Sequence, residues 1–402
     1  MNEKKSEKLL PSLIATGVFI VLIVVMTLLK TSSSIAEWWS RSISRVYRTG
    51  MGAVSSAFSL SLTEIAIVVA IIGGMIFLVS IISCLTKKRT SRALKLFLDL
   101  TAIVTAIIFL YSATAGMEYN RAPLPSSTYD SATASPDDLY DITEFYQARY
   151  NELAATLPRD ADGNLIEEVS FSDAADRVKA SFDRLINDDY FGTPTVAKSL
   201  LSTKEIFAHF GISGIYLSLT SEANVNSANT HYSQIPVTIA HEMAHSAGVM
   251  REYEANILAF YVCLYSGDPY LEYSAMDYGF SHLSSAVRET FGYESDKYQS
   301  LRTGYSEYIY KDYAAQLELH KKYGYLTGSF LRSIGNFFND LYLKISGLIE
   351  GTGAYDVDQG TFDTVIVPDQ DGKPVVEVKE ITYGDIQKIF IEKYFSSQST
   401  QM

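Results

Sequence analysis

Pro236-Val-Thr-Ile-Ala-His241-Glu-Met-Ala-His245-Ser-Ala-Gly248-Val-Met-Arg251-Glu-Tyr-Glu-Ala-Asn256 decides how the larger part of this chain folds. His241 and His245 are four apart. On a helix that spacing puts both imidazoles on one face, one turn apart, where they can grip one ion. Pro236 suits the first turn of such a helix. Glu242 stands beside the first histidine and points aside from the histidine row, placed to take a proton from a water activated at the ion. Zinc suits two nitrogens plus a carboxylate, with a fourth position left for water. A third ligand must therefore come from elsewhere.

Arg251-Glu-Tyr-Glu-Ala-Asn256 supplies two carboxylates. Glu252 and Glu254 lie about 200° apart around a helix, so only one of them can face the metal. The face of Glu252 continues through Ala255, Asn256, Ala259 and Cys263, which are small; that of Glu254 continues through Ile257, Leu258 and Tyr261, which are bulky. The metal helix itself carries Ala240 and Ala244. Small residues allow the close approach that coordination requires, which favours Glu252 and leaves Glu254 as the alternative. One continuous helix would set Glu252 about 10 Å along the axis from His245. The chain must turn between them, and Gly248 is placed for a left-handed glycine cap.

The chain has 402 residues, 47% of them hydrophobic and 20% charged, with a net charge of -13. That composition excludes a disordered chain and a nucleic-acid binder. Cys84 and Cys263, the two cysteines, imply no disulfide framework. Leu9 to Leu29, Ile65 to Leu85 and Leu96 to Ala115 are apolar runs of roughly 20 residues, the length that crosses a hydrocarbon core as helix. Asp99 lies near the start of the third. Lys87, Lys88, Arg89, Arg92 and Lys95 crowd the loop between the second and third spans, and Lys4, Lys5 and Lys8 precede the first. The positive-inside rule makes both segments cytoplasmic. Everything after about residue 116 then lies outside the cytoplasm, although the first loop carries Arg41, Arg45 and Arg48.

Beyond the spans, residues 122 to 136 read as a linker. Ser135-Pro-Asp-Asp138 opens a helix to about 157, and Ser172-Asp173 opens another to about 187. Ile212 to Thr220 alternates and reads as a strand. Helices are expected from Pro236 through the histidines, from Arg251 to Tyr265, and over much of 272 to 348. Thr364 to Val367 and Val375 to Val378 flank Asp369-Gln-Asp-Gly372 as a hairpin, and a last helix runs from Tyr383 to Phe395. His209, His282 and His320 read as surface or partly buried residues; His231 precedes the metal helix and could stand near the cleft.

The metal-helix block resembles the central block of a bacterial membrane family, domain of unknown function 3810. Gly116-Met-Glu-Tyr-Asn-Arg121 resembles the stretch after that family's last span, and Glu222-Ala-Asn-Val-Asn226 the segment before its metal helix. Tyr342-Leu-Lys344 and Gly351 to Tyr355 resemble its late blocks. The resemblance implies a zincin-like domain. Glu252-x-x-Ala-Asn256 is also similar to the third-ligand element of gluzincins, in which the first Glu binds zinc; Asn256 stands where those proteins commonly carry Asp.

The expected fold is mainly α with a few strands (α+β). Residues 1–116 form a membrane domain with three transmembrane helices, 117–135 a linker, and 136–402 a zincin-like metallopeptidase domain outside the cytoplasm. The expected function is that of a multi-pass membrane zinc metallopeptidase. His241, His245 and Glu252 would hold zinc, Glu242 would be the general base, and the partners would be a peptide or protein substrate and membrane lipids. Residues 215 to 226 could line up an extended substrate, and Tyr355 or His231 could stabilise an oxyanion. The rivals are a zinc hydrolase of cell-wall or lipid amides and a membrane sensor with a structural zinc site.

Overall fold

The computed structural model describes residues 8–124, 134–186, 190–324, 329–346, 356, 358, 360–368 and 374–395. Three helices among them are long and apolar enough to cross a membrane: α1 (Leu10–Leu29), α4 (Leu62–Thr86) and α5, which starts at Thr90 and ends at Ala113. Between the first two lie α2 (Ser33–Trp39), a π-helical turn over Ser40–Ser44, and α3 (Arg45–Ser56). α5 packs against both α1 and α4. The spans leave Val21, Ile76 and Val79 exposed, as lipid-facing helices do and buried soluble helices do not. Asp99 is satisfied inside this bundle: Lys95 donates to it at 2.7 Å and Ser12 at 2.5 Å.

After α5, α6 (Ala115–Glu118) turns the chain into the large domain. There follow α7 (Pro136–Thr156), α8 (Phe171–Leu185), β1 (Lys198–Ser199), α9 (Lys204–Phe210), β2 (Gly214–Leu217) and β3 (Glu222–Val225). α10 (Ile235–Ser246), α11 (Glu252–Leu264), α12 (Pro269–Phe291), α13 (Asp296–Gly304), α14 (Glu307–Lys322) and α15 (Phe330–Ser346) complete the helical part. β4 (Gly360–Pro368), β5 (Pro374–Tyr383) and α16 (Asp385–Phe395) close the chain. The expected mainly helical architecture with a few strands is what forms. Its core gathers Tyr146, Phe182, Ile239, Phe260, Leu271 and Phe390 from α7, α8, α10, α11, α12 and α16.

Local chemistry accounts for several helix starts. Ser135 and Asp138 form a complete capping box on α7, with Pro136 in its first turn. α8 opens on Ser170 rather than Ser172, because Ser170 Oγ accepts the Asp173 amide at 3.1 Å. β4 and β5 pair antiparallel as the expected hairpin strands, Val367 opposite Val375 and Thr364 opposite Val378; residues 369–373 lie outside the described ones. The strand expected over 212–220 is shorter. β2 pairs antiparallel with β3 and β1 pairs parallel with β3, so β2 is an edge of a three-stranded sheet.

One expectation is corrected. Residues 117–124 are docked rather than a free linker: Met117 is buried with Met26 and Ala36, Glu118 pairs with Arg48, Tyr119 is buried with Met250, Arg121 donates to the Gly248 and Tyr190 carbonyls, and the Leu124 amide donates to Glu254. Residues 30–61, the first loop, are likewise folded onto the large domain. Tyr47 donates to the Leu219 carbonyl at 2.8 Å, and Arg45 to that of Phe191 at 3.0 Å. Glu222 of β3 caps the start of α4, accepting from Thr63 N–H at 2.8 Å and Ser61 Oγ at 3.1 Å, with Lys198 at 2.5 Å. Burial works against the Glu222 charge, but Lys198 and the α4 amides hold its carboxyl below the ordinary range. Glu64, in the first turn of α4, in turn caps the start of α9 by accepting the Ser202 and Thr203 amides at 2.9 and 2.7 Å.

Candidate metal centre

α10 presents His241 and His245 on one face, as their spacing requires. It ends where Gly248 enters the left-handed region at φ 97°. The Gly248 amide donates to the His245 carbonyl at 2.9 Å and the Val249 amide to that of Ala244 at 3.1 Å, the paired bonds of a Schellman cap. That reversal carries the Val249 carbonyl back onto His245 Nδ1 at 2.7 Å. A carbonyl can only accept, so Nδ1 bears the proton and Nε2 offers its lone pair.

α11 begins at Glu252 and lies against α10. Ala240 and Ala244 face a helix whose Ala255, Ala259 and Cys263 are fully buried. Those small side chains allow the approach that brings Glu252 to the histidines. Glu252 Oε2 lies 3.2 Å from His241 Nε2 and 3.3 Å from His245 Nε2, and the two imidazole nitrogens are 3.1 Å apart. Among the described residues this is a group of three side chains able to hold one metal ion. Glu254 is engaged elsewhere, accepting from Arg251 at 2.8 Å and from the Leu124 amide at 3.0 Å.

The donor set fits zinc. An ion bonded tetrahedrally to such atoms at about 2.0–2.1 Å spaces them about 3.3–3.4 Å apart, close to the separations found. Electrostatics agree. Burial opposes the charge on both groups, yet Glu252 raises the His245 imidazole to about 9 and the two histidines lower Glu252 to about 2. The Glu252 carboxylate is thus held charged in a buried setting, paired with the histidines. Burial also lifts Glu242 to about 7, partly offset by His241 and His245. Its Oε2 is buried with no hydrogen-bond partner.

Sequence reasoning missed two supports of the site. The first is Gly214, at the start of β2. A Cβ there would lie 2.1 Å from Glu242 Oε1, so the carboxylate packs where only glycine leaves room. The second is a set of buried arginines holding the Gly248 turn. Arg121 donates to the Gly248 carbonyl at 3.2 Å and to that of Tyr190 at 2.8 Å, and grips Glu37 with two bonds of 2.9 and 3.0 Å. Arg48 pairs with Glu118 and packs against Gly248. The block 116–121 and the segment 222–226 were visible as stretches, but their structural roles were not.

Other candidates are placed elsewhere. His231 caps the turn before α10 and pairs with Ser233 Oγ at 2.8 Å. Tyr355 lies outside the described residues. His209 is exposed, and His282 and His320 are half-buried. Neither a curated protein nor a solved structure matches the chain. The family model described as "Protein of unknown function (DUF3810)" matches residues 39–357, and with most of its length inside that match the chain belongs to this family.

Proposed function

We propose that this protein is a membrane-anchored zinc metallopeptidase acting outside the cytoplasm. The observation that carries the reading is the convergence of His241, His245 and Glu252 within 3.3 Å of one another, beside a buried carboxylate, Glu242, with an unpartnered oxygen. A structural metal site has no use for such a group.

His241, His245 and Glu252 would hold the ion, which when bound supplies Lewis acidity to a scissile carbonyl and to a water. Glu242 removes the proton from that water and hands it to the departing amine. Its carboxyl, raised to about 7, suits both halves of that exchange near neutral pH. His241 is the more open of the two histidines, so substrate reaches the site from its side. β2 runs beside α10 as a sheet edge and is suited to pairing with an extended peptide.

The outside placement rests on charge. The turn between α4 and α5 carries Lys87, Lys88 and Arg89, whereas the opposite ends of the spans join the large domain. The arginines of residues 30–61, which run against this by charge alone, are engaged: Arg41 with Glu37, Arg48 with Glu118, and Arg45 with the Phe191 carbonyl. They weigh little as topology signals.

Glu242→Gln should leave zinc content unchanged and lower hydrolysis by about 10²–10⁴-fold. The readout is comparison of membrane and secreted proteins from cells carrying either form, with metal measured on the purified chain. Undiminished hydrolysis in the variant would defeat the catalytic reading.

A further inference from the structure

Among the described residues, large apolar side chains stand exposed around the start of α4. Phe58 and Leu60, just before α4, are 51% and 57% exposed; Leu201 and Ile206, around the start of α9, are 58% and 56% exposed. The four belong together. Lys198 donates to the carbonyls of Ser55 and Leu60 at 2.8 and 3.1 Å, which joins the β1 region to the chain entering α4. Glu64 accepts the amides of Leu201, Ser202 and Thr203 at 3.0, 2.9 and 2.7 Å.

Glu64 also fixes the height of this patch. Residues 201–203 are bonded to the first turn of a helix able to cross a bilayer, so they stand level with the place where hydrocarbon begins. Ile65, next to Glu64, and Val69 of α4 are exposed too, so the exposed apolar side chains of the span begin at the level where those of the domain stand. Lys204, exposed at the start of α9, is a cation of the kind that meets lipid phosphates.

We propose that Phe58, Leu60, Leu201 and Ile206 are seated in the interfacial layer of the bilayer that holds α4, so that the domain rests on phospholipid through α9. Continuity with the span selects lipid as the occupant, because any protein covering the patch would also have to displace lipid from α4. α9 leads through Gly211 directly to Gly214, against which Glu242 packs. The candidate base therefore stands one short helix away from the membrane surface. This seating does not depend on the site being catalytic.

The test uses the full chain in nanodiscs of phosphatidylcholine and phosphatidylglycerol, some of the lipid carrying a nitroxide at a shallow acyl position. An environment-sensitive fluorophore is attached at Leu201→Cys or Ile206→Cys, and for comparison at Tyr293→Cys, an exposed position at the turn after α12. Cys84 and Cys263 are buried, and the unsubstituted chain serves as the blank. Both patch labels should emit further to the blue and be quenched severalfold more strongly than the label at position 293. Equal quenching at all three positions would overturn the proposal. So would a blue shift at 201 and 206 without nitroxide quenching, which would mean that protein covers the patch.

Discussion

The helix pair α10–α11 and the collar around it, residues 30–61 with 115–124, meet at Gly248 and are held by different physics. The pair closes on small side chains, a glycine cap and three ligand atoms drawn from residues 241–252. The collar closes on buried arginines. Arg121 spans from Glu37 to the Gly248 carbonyl, and Arg251 reaches back to the carbonyls of Tyr119 and Arg121. A buried guanidinium is costly unless every donor is matched, and it specifies geometry in return. The comparison teaches that the metal turn is set from two sides, and that one side is the membrane domain. A soluble piece starting at residue 136 would contain the ligands and lack the collar.

The strongest way to break this comparison is Arg121→Met. The change keeps volume, removes the charge, leaves the Gly248 and Tyr190 carbonyls unmatched and takes from Glu37 one of its two arginines. Loss of one partner from a buried pair costs about 3–5 kcal/mol; the lower end applies because Glu37 keeps Arg41 and is 19% exposed. Denaturation of the purified chain in detergent should show a loss of about 3 kcal/mol, together with weaker zinc binding although no ligand has changed. Wild-type stability and zinc affinity would dissolve the collar into ordinary packing.

Gly214→Ala sharpens the comparison from the other side. Here the disturbed partner is a movable carboxylate, since the new Cβ would meet Glu242 Oε1 and Cδ at 2.1 and 2.6 Å. Glu242 can swing away, so stability and zinc content should hold while turnover falls. A misplacement of about 1 Å is enough for about a 10²-fold loss. The loss should vanish when Glu242→Gln is already present, because both changes then act on one absent function. An additive loss would mean that Gly214 serves substrate rather than the base.

These two residues also mark where the sequence stops being readable. The spans, the α7 cap, the α10 helix, the Gly248 turn and the preference for Glu252 over Glu254 all rest on neighbours a few residues away, and all can be read by spacing. Glu37 meets Arg121 from 84 residues off, and Gly214 meets Glu242 across a sheet edge. No periodicity records such contacts. The linker reading of 117–124 failed for the same reason: a polar stretch after a span looks solvated until its partners arrive from the far side of the fold. At α8 the failure was local and smaller. Ser172 stands directly before Asp173, but Ser170 stands three before it, the spacing of a capping serine, and it is Ser170 Oγ that accepts the Asp173 amide.

The smallest effect, and the finest division between the two regions, is in protons. The cations that hold the collar to the Gly248 turn are arginines; even Arg48, lowered by burial to about 10, keeps its charge at neutral pH. The site's groups do not share that insensitivity. Without metal, Glu252 raises His245 to about 9 against the effect of burial, and burial raises Glu242 to about 7. A bound cation favours neutral His245 as ligand and charged Glu242 as neighbour, so binding expels whatever protons they carry. Above about pH 9 both are already deprotonated and none leaves. Between about 7 and 9 one leaves, from His245. Below about 7 a second follows, from Glu242, and apparent affinity falls more steeply with acid. Calorimetry of zinc binding in buffers of different ionisation enthalpy counts these protons directly. Glu242→Gln should remove the second proton alone, while an Arg41→Gln change in the collar should leave the count as it was. If zinc binding released no proton at pH 6, His245 would already be neutral and Glu242 already charged there, and the electrostatic account of the candidate cluster would have to be abandoned.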